Sequence, residues 1–272
     1  MKVILWIGHG SRDPEGCRQF REMVLQMQKR LPDRRMECCF LEFETPDVQA
    51  GVDRCVAQGA TEVTAIPVLL LDALHFTKDI PGELASARKR HPHLTLNYGA
   101  HLGFHERMLE VLLAGLLEAG EDPLGENGET AVLMVGLGSS DPVANSNFFK
   151  LARMLWERTS YEWVECSFIS LTQPRLETGV ERCLRLGAKQ VIVLPYFLFT
   201  GKLYKRVVEI IRRKQEQHPD VPFRFTSCFG LNPLVLEVLE QRVAEAEAGT
   251  FTAYDHDWMR GLAQHRYGGE IP

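Results

Sequence analysis

The chain has 272 residues, 45% of them apolar and 25% charged, with a formal net charge of −5. That is the composition of a globular protein long enough for one large domain or two medium ones, each with its own core. The negative balance argues against a nucleic-acid partner, which calls for a basic patch, and no apolar run is long enough to span a membrane.

Residues 3–7 form a short apolar run that reads as a strand and ends at Gly8-His9-Gly10-Ser11-Arg12. A helical stretch near 15–30 follows, then a second apolar run at 36–41 that closes on FLEFETP, with Glu42 at its end. Thr45-Pro46 reads as a helix start and Gly59 as its stop, which predicts a helix over 47–58. A third run, 63–68, opens into PVLLLDALHFTKDIP, which carries His75. A helix near 79–90, a fourth run at 94–98 and a helix at 105–118 complete the pattern. The same order returns with apolar runs at 131–135, 163–169, 190–196 and 222–226. Strand–helix alternation of this kind predicts an α/β fold with a parallel sheet covered on both faces.

The return is a true internal repeat. A shift of 128 positions lays Gly8, Gly10, Ser11, Asp13 and Pro14 on Gly136, Gly138, Ser139, Asp141 and Pro142. Phe40 falls on Phe168, Pro46 on Pro174, Arg54-Cys55 on Arg182-Cys183 and Pro67 on Pro195. The expectation is two similar domains, 1–122 and 130–247, joined by the polar linker 120–129 and followed by a tail, 248–272, that holds His256 and His265.

Open α/β sheets take their ligands outside the carboxyl ends of the strands. Three polar residues fall there in the first copy: His9, Glu42 and His75. Their partners in the second copy are Leu137, Ser170 and Leu203, so all three are lost together while the surrounding glycines and prolines stay. Residues that serve one site are lost as a set. Two imidazoles and a carboxylate can ligate a transition metal or accept protons near neutrality. The glycines beside His9 would let a large flat ligand approach the backbone. GHGSRD is not a dinucleotide fingerprint, since Asp13 stands where the third glycine belongs, and no phosphate-binding loop for ATP occurs. Leu69, Leu70 and Leu71, with their counterparts Phe197, Leu198 and Phe199, read as strand core. Among the cations near strand ends (Arg12, Lys78, Lys202, Lys205 and Arg206), Arg12 is the best candidate for a ligand contact. The seven cysteines form no CxxC pair and read as buried free thiols. Met1-Lys2 leads into the first run without a cleavage pattern, so a reducing, cytoplasmic location is expected.

GHGSR after the first strand, FLE closing the second and PxLLL…H…DIP after the third resemble the sirohydrochlorin chelatases, the ATP-independent class II enzymes of siroheme and cobalamin synthesis. The resemblance covers residues 1 to 245 and matches the long, two-domain form. It implies two chelatase-like domains, each a four-stranded parallel sheet flanked by helices, with the macrocycle bound in a cleft between them. It implies His9 and His75 as catalytic and metal-contacting residues, Glu42 as the acidic partner, and Gly10, Ser11, Ser139, Ser140, Thr200 and Gly201 as substrate-binding lining, to which Arg12 is added for its place in the loop three residues past His9. The expected activity is insertion of Co²⁺ or Fe²⁺ into sirohydrochlorin with release of two protons. No ATP, iron–sulfur cluster or other cofactor beyond the metal substrate is expected, and the chain is expected to be a monomer or weak homodimer. The alternatives are a tetrapyrrole or metal carrier using the same pocket, and histidine-dependent phosphoryl transfer. The second is disfavoured because Gly8 stands where a phosphate-holding arginine would precede the histidine.

Overall fold

The computed structural model describes residues 1–71 and 75–250, the side chains of His75 and Thr77 excepted. The proposed tail from 251 on, with His256 and His265, lies outside the described residues.

The first repeat runs β1 (Lys2–Gly8), α1 (Pro14–Arg30), β2 (Arg35–Phe40), α2 (Val48–Ala57), β3 (Glu62–Pro67), a π-helical turn (His75–Asp79), α3 (Ile80–Arg90), β4 (Thr95–Tyr98) and α4 (Glu106–Glu118). The second runs β5 (Thr130–Gly136), α5 (Pro142–Glu157), β6 (Trp163–Phe168), α6 (Leu176–Arg185), β7 (Gln190–Pro195), α7 (Lys202–Gln217), β8 (Phe223–Phe225) and α8 (Pro233–Ala248). Two four-stranded sheets result, ordered β2-β1-β3-β4 and β6-β5-β7-β8, with every pairing parallel.

Strand β1 shows why it lies at the centre. Val3 to Ile7 are all at most 1% exposed, as a strand covered on both faces requires. Side chains alternate faces. Val3, Leu5 and Ile7 join Val48, Val52 and Cys55 of α2 and Ile80, Leu84 and Ala87 of α3 in one core cluster. On the other face Gly8 lies under Phe20 of α1, where an added Cβ would stand 3.1 Å from the ring. The second sheet repeats the arrangement: Ala131, Leu133 and Val135 pack with Leu176, Val180 and Cys183 of α6 and Val207 and Ile211 of α7.

The compact units do not follow the repeat boundary. Among the described residues, the first unit holds 1–105, 199–201 and 230–250, and the second holds 106–198 and 202–229. Helix α8, encoded in the second repeat, therefore completes the first unit, and α4 belongs to the second. Within the first unit Arg242 of α8 donates from Nε to the His101 carbonyl at 2.9 Å and from Nη2 to the Leu102 carbonyl at 3.1 Å. Arg30 and Arg34 pair with Glu240 and Glu247 at 2.6 and 2.7 Å. A Cβ on Gly99 would stand 3.2 Å from that of Ala246, so α8 lies directly on the end of β4.

Two sequence expectations change. Helix α2 starts one step after the Thr45-Pro46 signal. That peptide bond is cis, and Asp47 is the cap, its carboxylate accepting from the Ala50 amide at 2.8 Å. The apolar runs 69–71 and 197–199 lie past their strands and are half-buried, except for buried Leu198. All seven cysteines are unbridged and five are buried; burial pushes the Cys55 and Cys183 thiols up to about 12.

Candidate active site

In each sheet the chain moves from the central strand to one side and then the other. In open α/β sheets a reversal of this kind puts the ligand crevice at the carboxyl ends of the two strands it separates, here β1 and β3 of the first unit. The loops after β1 and β2 are laced together there: the Leu41 amide donates to the Gly8 carbonyl and the Glu42 amide to the His9 carbonyl, both at 2.9 Å. Gly10 holds φ of 89°, and a Cβ there would overlap the Glu42 carbonyl oxygen. Only glycine fits. The second unit has the same lacing, from Ile169 to Gly136 and from Ser170 to Leu137 at 3.0 Å, with Gly138 at φ 89° against the Ser170 carbonyl. The glycines kept in both repeats thus answer to close packing within the chain. The backbone of the site is built twice; its side chains appear once.

His9 is half-buried, and its Nδ1 lies 3.1 Å from the Gly10 carbonyl oxygen. A carbonyl only accepts, so Nδ1 carries the hydrogen in that bond, and in a neutral ring the lone pair is then on Nε2. An imidazole fixed in this tautomer by a backbone carbonyl is suited to bind a metal or take up a proton through Nε2. The His9 ring stands 6.1 Å from that of Phe43, and the Arg12 guanidinium lies 4.7 Å over the Phe43 ring, in cation–π range. Glu42 and Arg12 are exposed.

His75 opens the π-helical turn, and its side chain lies outside the described residues. The next residue is pinned. The Tyr98 hydroxyl donates to the Phe76 carbonyl at 3.0 Å, and the Phe76 ring packs against Tyr98 and His101 with centroids 5.4 and 4.4 Å away. His101 is only 2% exposed, and burial, reinforced by the Arg242 charge, pushes its pKa down to about 3.

The Ser11 hydroxyl accepts from the Asp13 amide at 3.0 Å, and the Asp13 carboxylate caps α1 by accepting from the Glu15 amide at 3.2 Å. Ser139, Asp141 and Val143 repeat this at 3.0 and 2.8 Å. Asp-Pro ahead of a helical pattern was the available signal for this cap, though Asp13 first drew notice as a misfit to a glycine motif. The Thr200 amide donates to Gln19 Oε1 at 2.9 Å, and a Cβ on Gly16 would overlap the Thr200 carbonyl oxygen.

The CbiX family model matches residues 3–119 and again 131–246, the two repeats in turn. The chain belongs to the CbiX family. Similar to it is a protein named sirohydrochlorin cobaltochelatase from Priestia megaterium, 45% identical over 92% of this chain and 81% of that one. A sirohydrochlorin ferrochelatase from Bacillus subtilis is 27% identical over 94% of this chain and 96% of its own length. Among solved structures, SirB from Bacillus subtilis with Fe³⁺ superposes with a TM-score of 0.79 at 28% identity, covering 91% of this chain and 96% of that one.

In this CbiX chain, the residues expected to form the site fall into two groups. His9, Gly10, Ser11, Arg12, Glu42, the His75 backbone, Thr200 and Gly201 all belong to the first unit, and Ser139 and Ser140 to the second. Thr200 and Gly201 reach the first unit although the second repeat encodes them, and a Cβ on Gly201 would stand 3.5 Å from Ser11 Oγ. Among the described residues no group of three or more His, Cys, Asp or Glu side chains could hold a metal ion, and no helix is long and apolar enough to cross a membrane.

Proposed function

We propose that the chain is a sirohydrochlorin chelatase that inserts Co²⁺ or Fe²⁺ into the macrocycle, in siroheme or cobalamin biosynthesis. The observation that carries this reading is His9. Its ring, oriented by the Gly10 carbonyl, stands half-buried at the carboxyl end of the central strand, in a family whose relatives are named for this insertion. The reaction brings M²⁺ to the ring and expels two N–H protons, so charge balances without a further reactant. His9 either presents the metal to one face of the ring or takes a ring proton, and His75 supplies the second imidazole. Glu42, exposed beside the His9 carbonyl, accepts or relays a proton. Arg12 meets a ring carboxylate with a charge-assisted bond. Holding metal and ring together supplies the proximity gain.

The test is an anaerobic insertion assay with sirohydrochlorin, run with Co²⁺ and with Fe²⁺. The wild-type chain should accelerate insertion, and His9→Ala or His75→Ala should lower the rate by about 100-fold or more. Binding of macrocycle and metal without acceleration would identify a carrier and sink the enzymatic reading.

A further inference from the structure

Phe43 holds φ of 63° and is 52% exposed. A bulky residue in left-handed backbone is uncommon and strained. The strain belongs to the turn, because Leu171, at the same position of the second repeat, holds φ of 55° and is 65% exposed. The turn therefore projects an apolar side chain into solvent in both copies, and the choice of side chain is what differs. In the first copy it is an aromatic ring 6.1 Å from His9, with the Arg12 guanidinium 4.7 Å over it. In the second copy all three members are replaced, by Leu137, Ser140 and Leu171. Ring, cation and imidazole disappear together while the backbone path between them is kept.

We infer that Phe43 is a substrate-binding residue: a platform on which a flat, conjugated, polycarboxylate ring stacks beside His9, with Arg12 receiving one of its carboxylates. This rests on the chelatase reading and names a contact within that site. A small carboxylate would gain nothing from the phenyl ring, and a transition-metal ion is held by imidazole nitrogen rather than by a phenyl face. A planar π-system gains stacking over the exposed part of the ring, and the Arg12 guanidinium over the phenyl ring helps hold it in place.

Phe43→Leu tests it, since the second repeat already carries leucine in this backbone conformation. Metal-free sirohydrochlorin, titrated anaerobically into the full chain and followed by its absorbance, should bind roughly three- to tenfold more weakly to Phe43→Leu. Phe43→Tyr should restore wild-type affinity. The apparent KM for the metal should stay unchanged in both variants. Affinity of Phe43→Leu within about twofold of wild type, with the variant folded by circular dichroism, would overturn the platform and leave the chelatase reading standing. Failure of Phe43→Tyr to restore binding would also overturn it. If the wild-type chain neither binds nor metallates sirohydrochlorin, both readings fall.

Discussion

His9 and His101 put the same side chain to opposite uses. His9 is half-buried at the end of a strand, with its Nδ1 bonded to the Gly10 carbonyl. His101 is sealed against Phe76, and burial keeps it neutral with a pKa of about 3. The unfolded chain has an ordinary imidazole there and takes up a proton below pH ~6.5, whereas the folded chain resists until about 3. Stability is therefore lost as pH falls through that window. Between pH 7 and 5 this one residue should cost about 2 kcal/mol. Urea unfolding at the two pH values should show a drop smaller by that amount in His101→Gln than in wild type. An identical drop would mean that His101 is hydrated or already protonated in the folded chain. At this scale His9, Glu42 and His75 stand out in the sequence as candidates, because the second repeat lacks all three. The sequence did not single out His101, whose carbonyl accepts from an arginine 141 positions away, nor Phe43, whose strain is a matter of backbone angle.

Among the elements, the π-helical turn is the one that periodicity did not foresee. Strands and helices fell within a residue or two of their expected bounds, since both depend on local alternation of apolar side chains. The turn depends on contacts from β4 and its following loop: the Tyr98 hydroxyl on the Phe76 carbonyl and two rings against the Phe76 side chain. Removing the hydroxyl should loosen the turn that carries His75. Tyr98→Phe should cost about 1 kcal/mol of stability and speed hydrogen exchange at the amides of 75–79. It should lower kcat several-fold with little change in the affinity for sirohydrochlorin, because His75 rather than the ring-binding surface is displaced. Equal losses in kcat and affinity would point to a general packing defect instead. Helix caps are likewise poorly marked by local pattern. Asp47 was passed over for Thr45-Pro46 because a cap is recognised by which amide its carboxylate meets, and spacing alone does not show that.

For the molecule as a whole, the repeat was plain in the sequence, and the helix exchange was not. Periodicity shows that α4 and α8 each have an apolar face; it does not say which sheet that face covers. A fragment of residues 1–122 would lack α8. The His101 and Leu102 carbonyls would lose the Arg242 donors, and Gly99 would lose the helix that lies on it. Such a fragment should show no cooperative urea transition as a monomer, while a chain carrying 1–105 linked to 230–250 should recover one in part. A monomeric 1–122 fragment unfolding at the full-length midpoint would show that α8 is dispensable.

That exchange bears on how the gene can change. A duplicated gene is ordinarily free to shed the copy that has stopped doing the work. Here the copy that lacks counterparts of His9 and His75 encodes the helix that finishes the other half, so deleting it would also strip the half that keeps them. Selection acting on one repeat therefore protects the other. Mutations at Glu240 or Arg242 should be inherited as lesions of the histidine-bearing half, however far downstream they map.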